Sequence, residues 1–439
     1  MRLSRRGFLR SATAAGALAA APYVRAAAKA KRHRTALIGA GWWGMNILRE
    51  ALADGQCQAV ALCDVDQDNL ELAAEEIQSL SSDTPRTYRD FRELFDKEQV
   101  EVAIIATPDH WHALQTLAAI DAGAHVYCEK PTGHTILESQ AMLKAARAAD
   151  RQVQVGMHRR IGPHYVSGMK FLKEGHAGKI GMVRMFVQGR GAAELPTPNG
   201  PPPATLDWDM YCGPAPLRPF NRIIHPGGFR NFLDFANGTL GDWGVHWIDQ
   251  VLWWSGETFP RKVYSTGGRQ VLGPAVLSDK AQTTDAPDTQ AATFEFENFT
   301  ATWEHRRYAG NSAEKSAIGC YFYGDKGTFH MGWRDGWTFY PADGKGAAVH
   351  QDAELQEPDG HNIKLLWADF MASIADGRRP TCDIEIGHRA TTAALLGMLS
   401  LKLGRSVEWD AHGQRIAGDD EANKLLRREY RSPWAYPEV

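Results

Sequence analysis

Apolar runs and helix-spaced apolar residues alternate along residues 34–156. Thr35-Ala36-Leu37-Ile38 is a short apolar run that ends at glycines, the pattern of a buried parallel strand. Ile47, Leu48 and Leu52 follow at helical spacing between Gly44 and Ala53. A second run, Ala59–Cys63, stops at Asp64, and Leu70, Ala73, Ile77 and Leu80 mark the next helix. The alternation continues through Val102–Ala106, a helix from His112 to Ala122 closed by Gly123, and His125–Cys128. Thr135 with Glu138 forms a capping-box start for a helix to about Ala149, and Val153-Gln154-Val155 is a further strand. Such alternation predicts an α/β fold with an N-terminal doubly wound parallel sheet of the Rossmann kind.

After Gly156 the period changes to two. Val183, Met185 and Val187 share one face of a strand, with Arg184, Phe186 and Gln188 on the other. Strands are expected at 289–297, 299–308, 316–323 and 328–333, with Gly324-Asp325-Lys326-Gly327 as a turn. This predicts a C-terminal α+β domain, residues 157–439, built on a mainly antiparallel open sheet. The Pro-rich stretch 191–207 and the stretch 340–360 carry little periodicity. Helices from Ile363 to Asp376 and from Ile386 to Leu403, stopped by Gly377 and Gly404, are expected to pack back on the first domain.

Residues 1–33 read as a leader. Ser4-Arg5-Arg6-Gly7-Phe8-Leu9-Arg10 is a twin-arginine export motif, and the mildly apolar residues 11–24 are too short to span a bilayer. Ala26-Ala27-Ala28 suits signal peptidase, so the mature protein is expected in the periplasm, with no membrane association after cleavage. The net charge of −3 gives no reason to expect nucleic acid as a partner. The six cysteines contain no CxxC pair, and export of an already folded chain favours buried thiols over a disulfide framework.

The chemistry concentrates in four motifs. Gly39-Ala40-Gly41-Trp42-Trp43-Gly44 follows a strand and opens a helix, and Asp64 stands 20 residues beyond Gly44 at the end of the next strand. In that context the glycines form a dinucleotide-binding turn with the pyrophosphate on the helix N-terminus. Asp64 would bind the adenosine ribose hydroxyls. With no Arg among Val65, Asp66 and Gln67, NAD is favoured over NADP. The others are Ala106-Thr107-Pro108-Asp109-His110-Trp111-His112, Cys128-Glu129-Lys130-Pro131, and Gly241-Asp242-Trp243-Gly244-Val245-His246-Trp247-Ile248-Asp249.

Together these motifs resemble the glucose-fructose oxidoreductase/inositol dehydrogenase/MocA (Gfo/Idh/MocA) family, over roughly Thr35 to Trp409. The resemblance implies a nicotinamide near the Glu-Lys-Pro step, with Lys130, Asp242 and His246 as catalytic residues. It also implies cofactor contacts from Thr107, Pro108, His112, Glu129 and Lys130, beside Gly39, Gly41, Trp42, Trp43, Gly44 and Asp64. Removing a hydride from a secondary alcohol requires a base for the hydroxyl proton and a positive group for the developing alkoxide. His246 suits the base, with an ordinary pKa of about 6.5, and Lys130 suits the charge. Four residues apart, Asp242 and His246 share a helix face, so Asp242 can orient His246 or hold a substrate hydroxyl. Taken alone, Asp242 also reads as a helix N-cap and His246 as a packed core histidine. Arg159 and Arg230 are candidate substrate contacts, Arg159 equally a candidate for a domain-interface salt bridge. The sixteen histidines show no zinc-ligand spacing, and no metal is expected.

The functional expectation is an NAD(P)-dependent oxidoreductase acting on a secondary alcohol of a sugar, glycoside or cyclitol. Export adds a constraint. A cofactor of micromolar affinity, associating at about 10⁶ M⁻¹s⁻¹, leaves within about a second. Retention for hours needs a Kd near about 10⁻¹⁰ M, about 14 kcal/mol. A tightly bound dinucleotide recycled by a second sugar or keto substrate satisfies this. Two alternatives stand beside it. One is a redox-neutral, NAD-dependent glycoside-cleaving enzyme, against which the retained Lys130 argues. The other is a non-catalytic, nucleotide-loaded sugar sensor. The resemblance further implies a homodimer or homotetramer.

Overall fold

The computed structural model describes residues 32–438 except 345 and 356; the twin-arginine motif and the Ala26-Ala27-Ala28 run lie outside the described residues. The first sheet has six parallel strands in the order β3-β2-β1-β4-β5-β6. They are β1 (His33–Ile38), β2 (Cys57–Cys63), β3 (Arg86–Tyr88), β4 (Val102–Ile105), β5 (His125–Cys128) and β6 (Val153–Val155). All four residues of β4 and all three of β6 are buried, which explains why these strands read as apolar runs without alternation. Order reverses between β1 and β4, so the crevice at their C-terminal ends is where a ligand is expected.

Helix α1 (Trp42–Ala53) begins directly after the glycine turn. Gly39 adopts φ 92°, and a Cβ there would lie 2.7 Å from the Ala106 carbonyl. A Cβ on Gly44 would lie 2.0 Å from the Gly39 oxygen, so helix and strand approach only because both are glycine. The expected capping box at Thr135 and Glu138 is formed at the start of α2 (Ile136–Ala148).

The second sheet has ten strands, antiparallel except where β7 (Ile180–Gly191) runs parallel to the strand Thr300–Tyr308. The expected strands occur at Thr289–Glu295, Thr300–Tyr308, Ile318–Gly324 and Gly327–Gly332. Further strands lie at Lys262–Gly268, Trp337–Pro341 and Val349–Gln351, the last inside a stretch with no clear period. Two late helices, α3 (Pro358–Asp376) and α4 (Ile384–Leu403), pack against α1 and α2 respectively, and one apolar core runs through both sheets. Helix α3 starts earlier than its apolar spacing indicates, with Pro358 in its first turn. All six cysteines are buried, and none is in a disulfide. Among the described residues no helix is long and apolar enough to cross a membrane.

Candidate active site

A cavity of about 540 Å³ lies at the C-terminal ends of the parallel strands. Gly39, Gly41, Trp42 and Trp43 line it from the glycine turn, and Asp64 from the end of β2. Thr107, Pro108, Glu129 and Lys130 line it from the ends of β4 and β5. Arg159, Arg230, Asp242 and His246 complete it from beyond residue 157. Two predicted cofactor residues do not reach it. Gly44 acts through close packing. His112 is buried behind the wall, with Nδ1 2.7 Å from the Pro131 oxygen and Nε2 2.8 Å from the Thr107 oxygen. It therefore braces the Lys130-Pro131 step against Thr107, and burial holds its pKa below the usual histidine value.

The turn is shaped for a phosphate. A Cβ on Gly41 would meet no protein atom within 4 Å, and no side chain caps the first amides of α1. Asp64 accepts hydrogen bonds from the Ala40 N–H at 2.7 Å and the Asp66 N–H at 2.9 Å, with Asn69 Nδ2 at 3.5 Å. Burial raises its pKa while these donors oppose the rise. Arg89, at the far end of β3, also lines this end of the cavity. Its Nη2 donates to the carbonyls of Val65 and Thr205.

At the opposite end Lys130 Nζ forms an ion pair with Asp242 Oδ1 and donates to the Asp242 carbonyl at 3.3 Å. Arg230 Nε stands 3.6 Å from the same carboxylate. Burial alone would raise the Asp242 pKa; Lys130 and Arg230 outweigh it and hold the carboxyl below its usual value. Asp242 sits in a π turn, Leu240–Gly244, that precedes the regular helix Val245–Ser255. Wide turns of this kind often mark functional sites.

Of the two roles expected for Asp242, orienting His246 is not seen in this geometry. Asp242 is engaged by Lys130, and the buried His246 Nδ1 has no hydrogen-bond partner among the described residues. His246, expected as the base with an ordinary pKa of about 6.5, is shifted by its surroundings. Burial, with Arg159, His158 and Lys130 adding to it, pushes the His246 pKa well below the ordinary value.

The salt bridge considered for Arg159 is made by its neighbour. Arg160 binds Asp249 through contacts of 2.8–3.0 Å. Arg159 instead lies buried, its guanidinium 4.6 Å from the Trp247 ring and 5.3 Å from Trp243. Its Nε and Nη1 have no hydrogen-bond partner among the described residues. Aromatic rings connect the two ends: Trp42 to Trp43 at 5.2 Å, Trp43 to His158 at 6.1 Å, His158 to His246 at 5.1 Å.

Sequence reasoning missed a cover over the nucleotide end. Residues 205–236 carry an apolar cluster of their own, including Leu206, Trp208, Tyr211, Phe232 and Phe235. This strap is tied to the loop after β2. The Asp207 N–H donates to the Val65 carbonyl, the Gln67 N–H donates to the Thr205 carbonyl, and His225 Nε2 lies 3.0 Å from Asp66 Oδ2. Burial pushes the His110 pKa down to about 3, so its neutral ring donates Nε2–H to the Tyr211 carbonyl at 2.9 Å. The C-terminal segment holds the strap from outside, Arg431 binding Asp209 and Gly213, and Arg428 donating to the Asp234 carbonyl. Nothing local announces these links, which join residues more than 100 positions apart.

Residues 33–157 match a family described as "Oxidoreductase family, NAD-binding Rossmann fold", and residues 172–272 with 351–436 match that family's C-terminal alpha/beta domain. The chain belongs to the Gfo/Idh/MocA oxidoreductase family. Among its relatives it is 29% identical over 216 residues to a levoglucosan dehydrogenase of Pseudarthrobacter phenanthrenivorans, covering 47% of this chain and 48% of that one. It is 32% identical over 148 residues to a glycosyl hydrolase family 109 protein of Stenotrophomonas maltophilia, covering 32% and 33%. An inositol 2-dehydrogenase of Salmonella typhimurium is 30% identical over 152 residues, covering 34% and 44%. The chain thus spans half or less of the length of these relatives. In fold, it matches a levoglucosan dehydrogenase structure in complex with NADH and levoglucosan with TM-score 0.67 and 21% identity, over 86% of this chain and 99% of that one. Among the described residues no group of three His, Cys, Asp or Glu is arranged to hold a metal.

Proposed function

We propose that this chain is an NAD-dependent oxidoreductase that moves a hydride to or from a secondary alcohol of a sugar, glycoside or cyclitol. The observation that carries this reading is one cavity with a phosphate-shaped glycine turn at one end and the Lys130–Asp242 pair beside His246 at the other. NAD would lie from Asp64 across Gly41 toward Lys130 and supply the hydride acceptor. Lys130, fixed by Asp242, offers positive charge to a substrate oxygen as it becomes an alkoxide. Arg159 and Arg230 offer donors to neighbouring hydroxyls, and the Trp243 ring an apolar face.

The dinucleotide is read as a resident group, favoured as NAD by the Asp64 carboxylate. The strap over the nucleotide end supports slow release, which suits the export expected from Arg5-Arg6 into the periplasm. A second sugar or keto compound would then take the hydride back. A homodimer or homotetramer is part of this reading by family resemblance. The match to a glycosyl hydrolase family 109 protein supports a second reading, transient oxidation followed by cleavage of a glycosidic bond.

One experiment tests both. The dinucleotide freed by denaturing the purified protein is identified, and nicotinamide absorbance of the intact protein is followed as aldoses, glycosides and inositols are added. Bound NAD that is reduced and then reoxidised by a second sugar is the expected result. Free aglycone from a glycoside would favour the second reading, and protein devoid of dinucleotide would end the resident-cofactor idea.

A further inference from the structure

Residues 425–438 form no helix or strand, yet they are fastened to two separate parts of the molecule. On the first domain, the Leu426 carbonyl accepts from the Leu137 N–H at 3.0 Å, and the Tyr430 hydroxyl donates to the buried Glu138 at 2.7 Å. The Tyr436 hydroxyl lies 2.6 Å from Thr135 Oγ1. On the strap, Arg431 carries the fastening. Its Nη1 meets both Asp209 oxygens at 2.6 and 3.0 Å, Nη2 the Asp209 carbonyl at 2.8 Å, and Nε the Gly213 carbonyl at 3.0 Å. Trp434 sits between the two. Its ring meets Trp111 edge-on at 4.7 Å and stacks on Phe91 at 6.1 Å, with the Arg92 guanidinium 4.5 Å above it. Phe91 and Trp111 line the cavity. Phe91 follows β3, whose Tyr88 carbonyl accepts from the Asp64 N–H at 3.2 Å, so this wall stands at the Asp64 end. Trp111 is held from the strap as well: its Nε1 donates to the Tyr211 carbonyl at 3.1 Å, and a Cβ on Gly213 would lie 2.0 Å from its ring.

We propose that residues 425–438 are a latch for the dinucleotide, with Arg431 and Trp434 as positioning residues that hold the strap and the Phe91–Trp111 wall closed on the adenosine half. This rests on the resident-dinucleotide reading above. The end that the latch closes has the chemistry of a purine nucleoside site: Phe91, Trp111 and Met210 line it with two aromatic rings and a thioether, beside the Asp64 carboxylate that faces the ribose. Arg431 and Trp434 are not among the lining residues, so each acts through a group that is. Adenosine leaves this end only when the strap lifts away from Trp111 and from the loop after β2. While Arg431 ties Asp209 and Gly213 to a segment that is itself tied to Glu138 and Thr135, the strap lifts only if that segment lets go too. Opening therefore breaks several contacts together, as one cooperative unit. Such an arrangement slows release without adding any contact to the nucleotide.

Arg431→Ala, Trp434→Ala and Trp434→Phe are each purified as the full chain carrying its dinucleotide, and release is timed by trapping the freed NAD. Both alanine variants should release about 30-fold faster, the scale of losing an aromatic or arginine anchor. Trp434→Phe keeps a ring behind Trp111 and should stay within about fivefold of the wild type, near 1 kcal/mol. A merely structural role would lower the melting temperature of the dinucleotide-free protein without this rescue and without faster release. Amide hydrogen exchange of the wild type, stripped of dinucleotide and reloaded with NAD, needs no variant to fold. Exchange over 206–236 and over 427–437 should slow together on loading. Slowing of the strap alone overturns the proposal, as does wild-type release from both alanine variants. A wild type that holds its dinucleotide for hours while both variants do the same fails the latch alone. One that frees it within about a second, the variants no faster, fails the resident-dinucleotide reading and the latch with it.

Discussion

Asp64 and Asp109 end neighbouring halves of the same sheet, both facing one cavity, and burial raises the pKa of both. They differ in what the protein gives them. Asp64 receives two backbone N–H bonds and the Asn69 amide, so its charge is held and its geometry fixed. Asp109 receives no such help, and two cations and a second carboxylate face it instead. The contrast separates a buried carboxylate held by hydrogen-bond donors from one left mainly to burial and nearby charges. The nucleotide end is saturated and covered, while the other end is left electrostatically unfinished.

The largest effect should come from Lys130→Met, which removes the cation serving both Asp109 and Asp242. Turnover is expected to fall by about 10³-fold, the scale of losing a charge-stabilising donor. Dinucleotide content, measured after denaturation, should remain. If the dinucleotide is lost in proportion, the two ends are not separable and the contrast fails.

Next is the pH dependence of stability. A carboxyl raised from about 3.9 in the unfolded chain to about 7 binds its proton more tightly when folded, so stability falls as pH rises between these values. Asp109→Asn removes that loss. Its unfolding free energy should match the wild type below about pH 4 and exceed it above about pH 7, by up to about 4 kcal/mol, with a higher melting temperature as the readout. Asp64→Asn should show a smaller gain of the same sign, because the hydrogen bonds to Asp64 oppose most of the rise that burial causes. Equal behaviour of the two variants would erase the distinction.

How much of this was legible along the chain follows the range of each interaction. The glycine turn, Asp64 and the capping box at Thr135 are local, and period and spacing report them directly. Lys130 and Asp242 could be named from their motifs, but not their ion pair, which joins residues 112 positions apart. Four-residue spacing pointed Asp242 at His246; the π turn and the nearby ammonium decided otherwise. His246 read as a near-neutral base because spacing carries no information about burial. Asp109 lay in a quoted motif, yet its raised pKa comes first from burial and then from Lys130, Asp242 and Arg230, none of which its local sequence reports. The strap, residues 205–236, received no reading as a unit, because its apolar residues follow no helix or strand period.

A smaller effect is expected from Asp64→Asn on the cofactor. Replacing a charged acceptor by an amide weakens its contact to ribose hydroxyls, and dinucleotide release should accelerate about tenfold, near 1.4 kcal/mol. Discrimination against NADP should narrow in the same variant, because Arg89 already stands at this end with its guanidinium on two carbonyls. Competitive loading with both dinucleotides checks this; undiminished preference for NAD would move specificity away from Asp64.

The smallest effect tests the cover. His225 and Asp66 are each 13% exposed at the side chain and 3.0 Å apart, linking the strap to the loop beside Asp64. Partly buried contacts of this kind contribute about 1 kcal/mol or less, and the strap keeps its backbone bonds to Val65 and Gln67. His225→Ala should therefore hasten dinucleotide release by no more than about fivefold and leave the pH profile of turnover unchanged. Release is followed by trapping the freed dinucleotide. An acceleration far beyond this would mean that the strap opens as a unit hinged on one contact, and the saturated nucleotide end would owe its hold to the cover more than to the glycine turn.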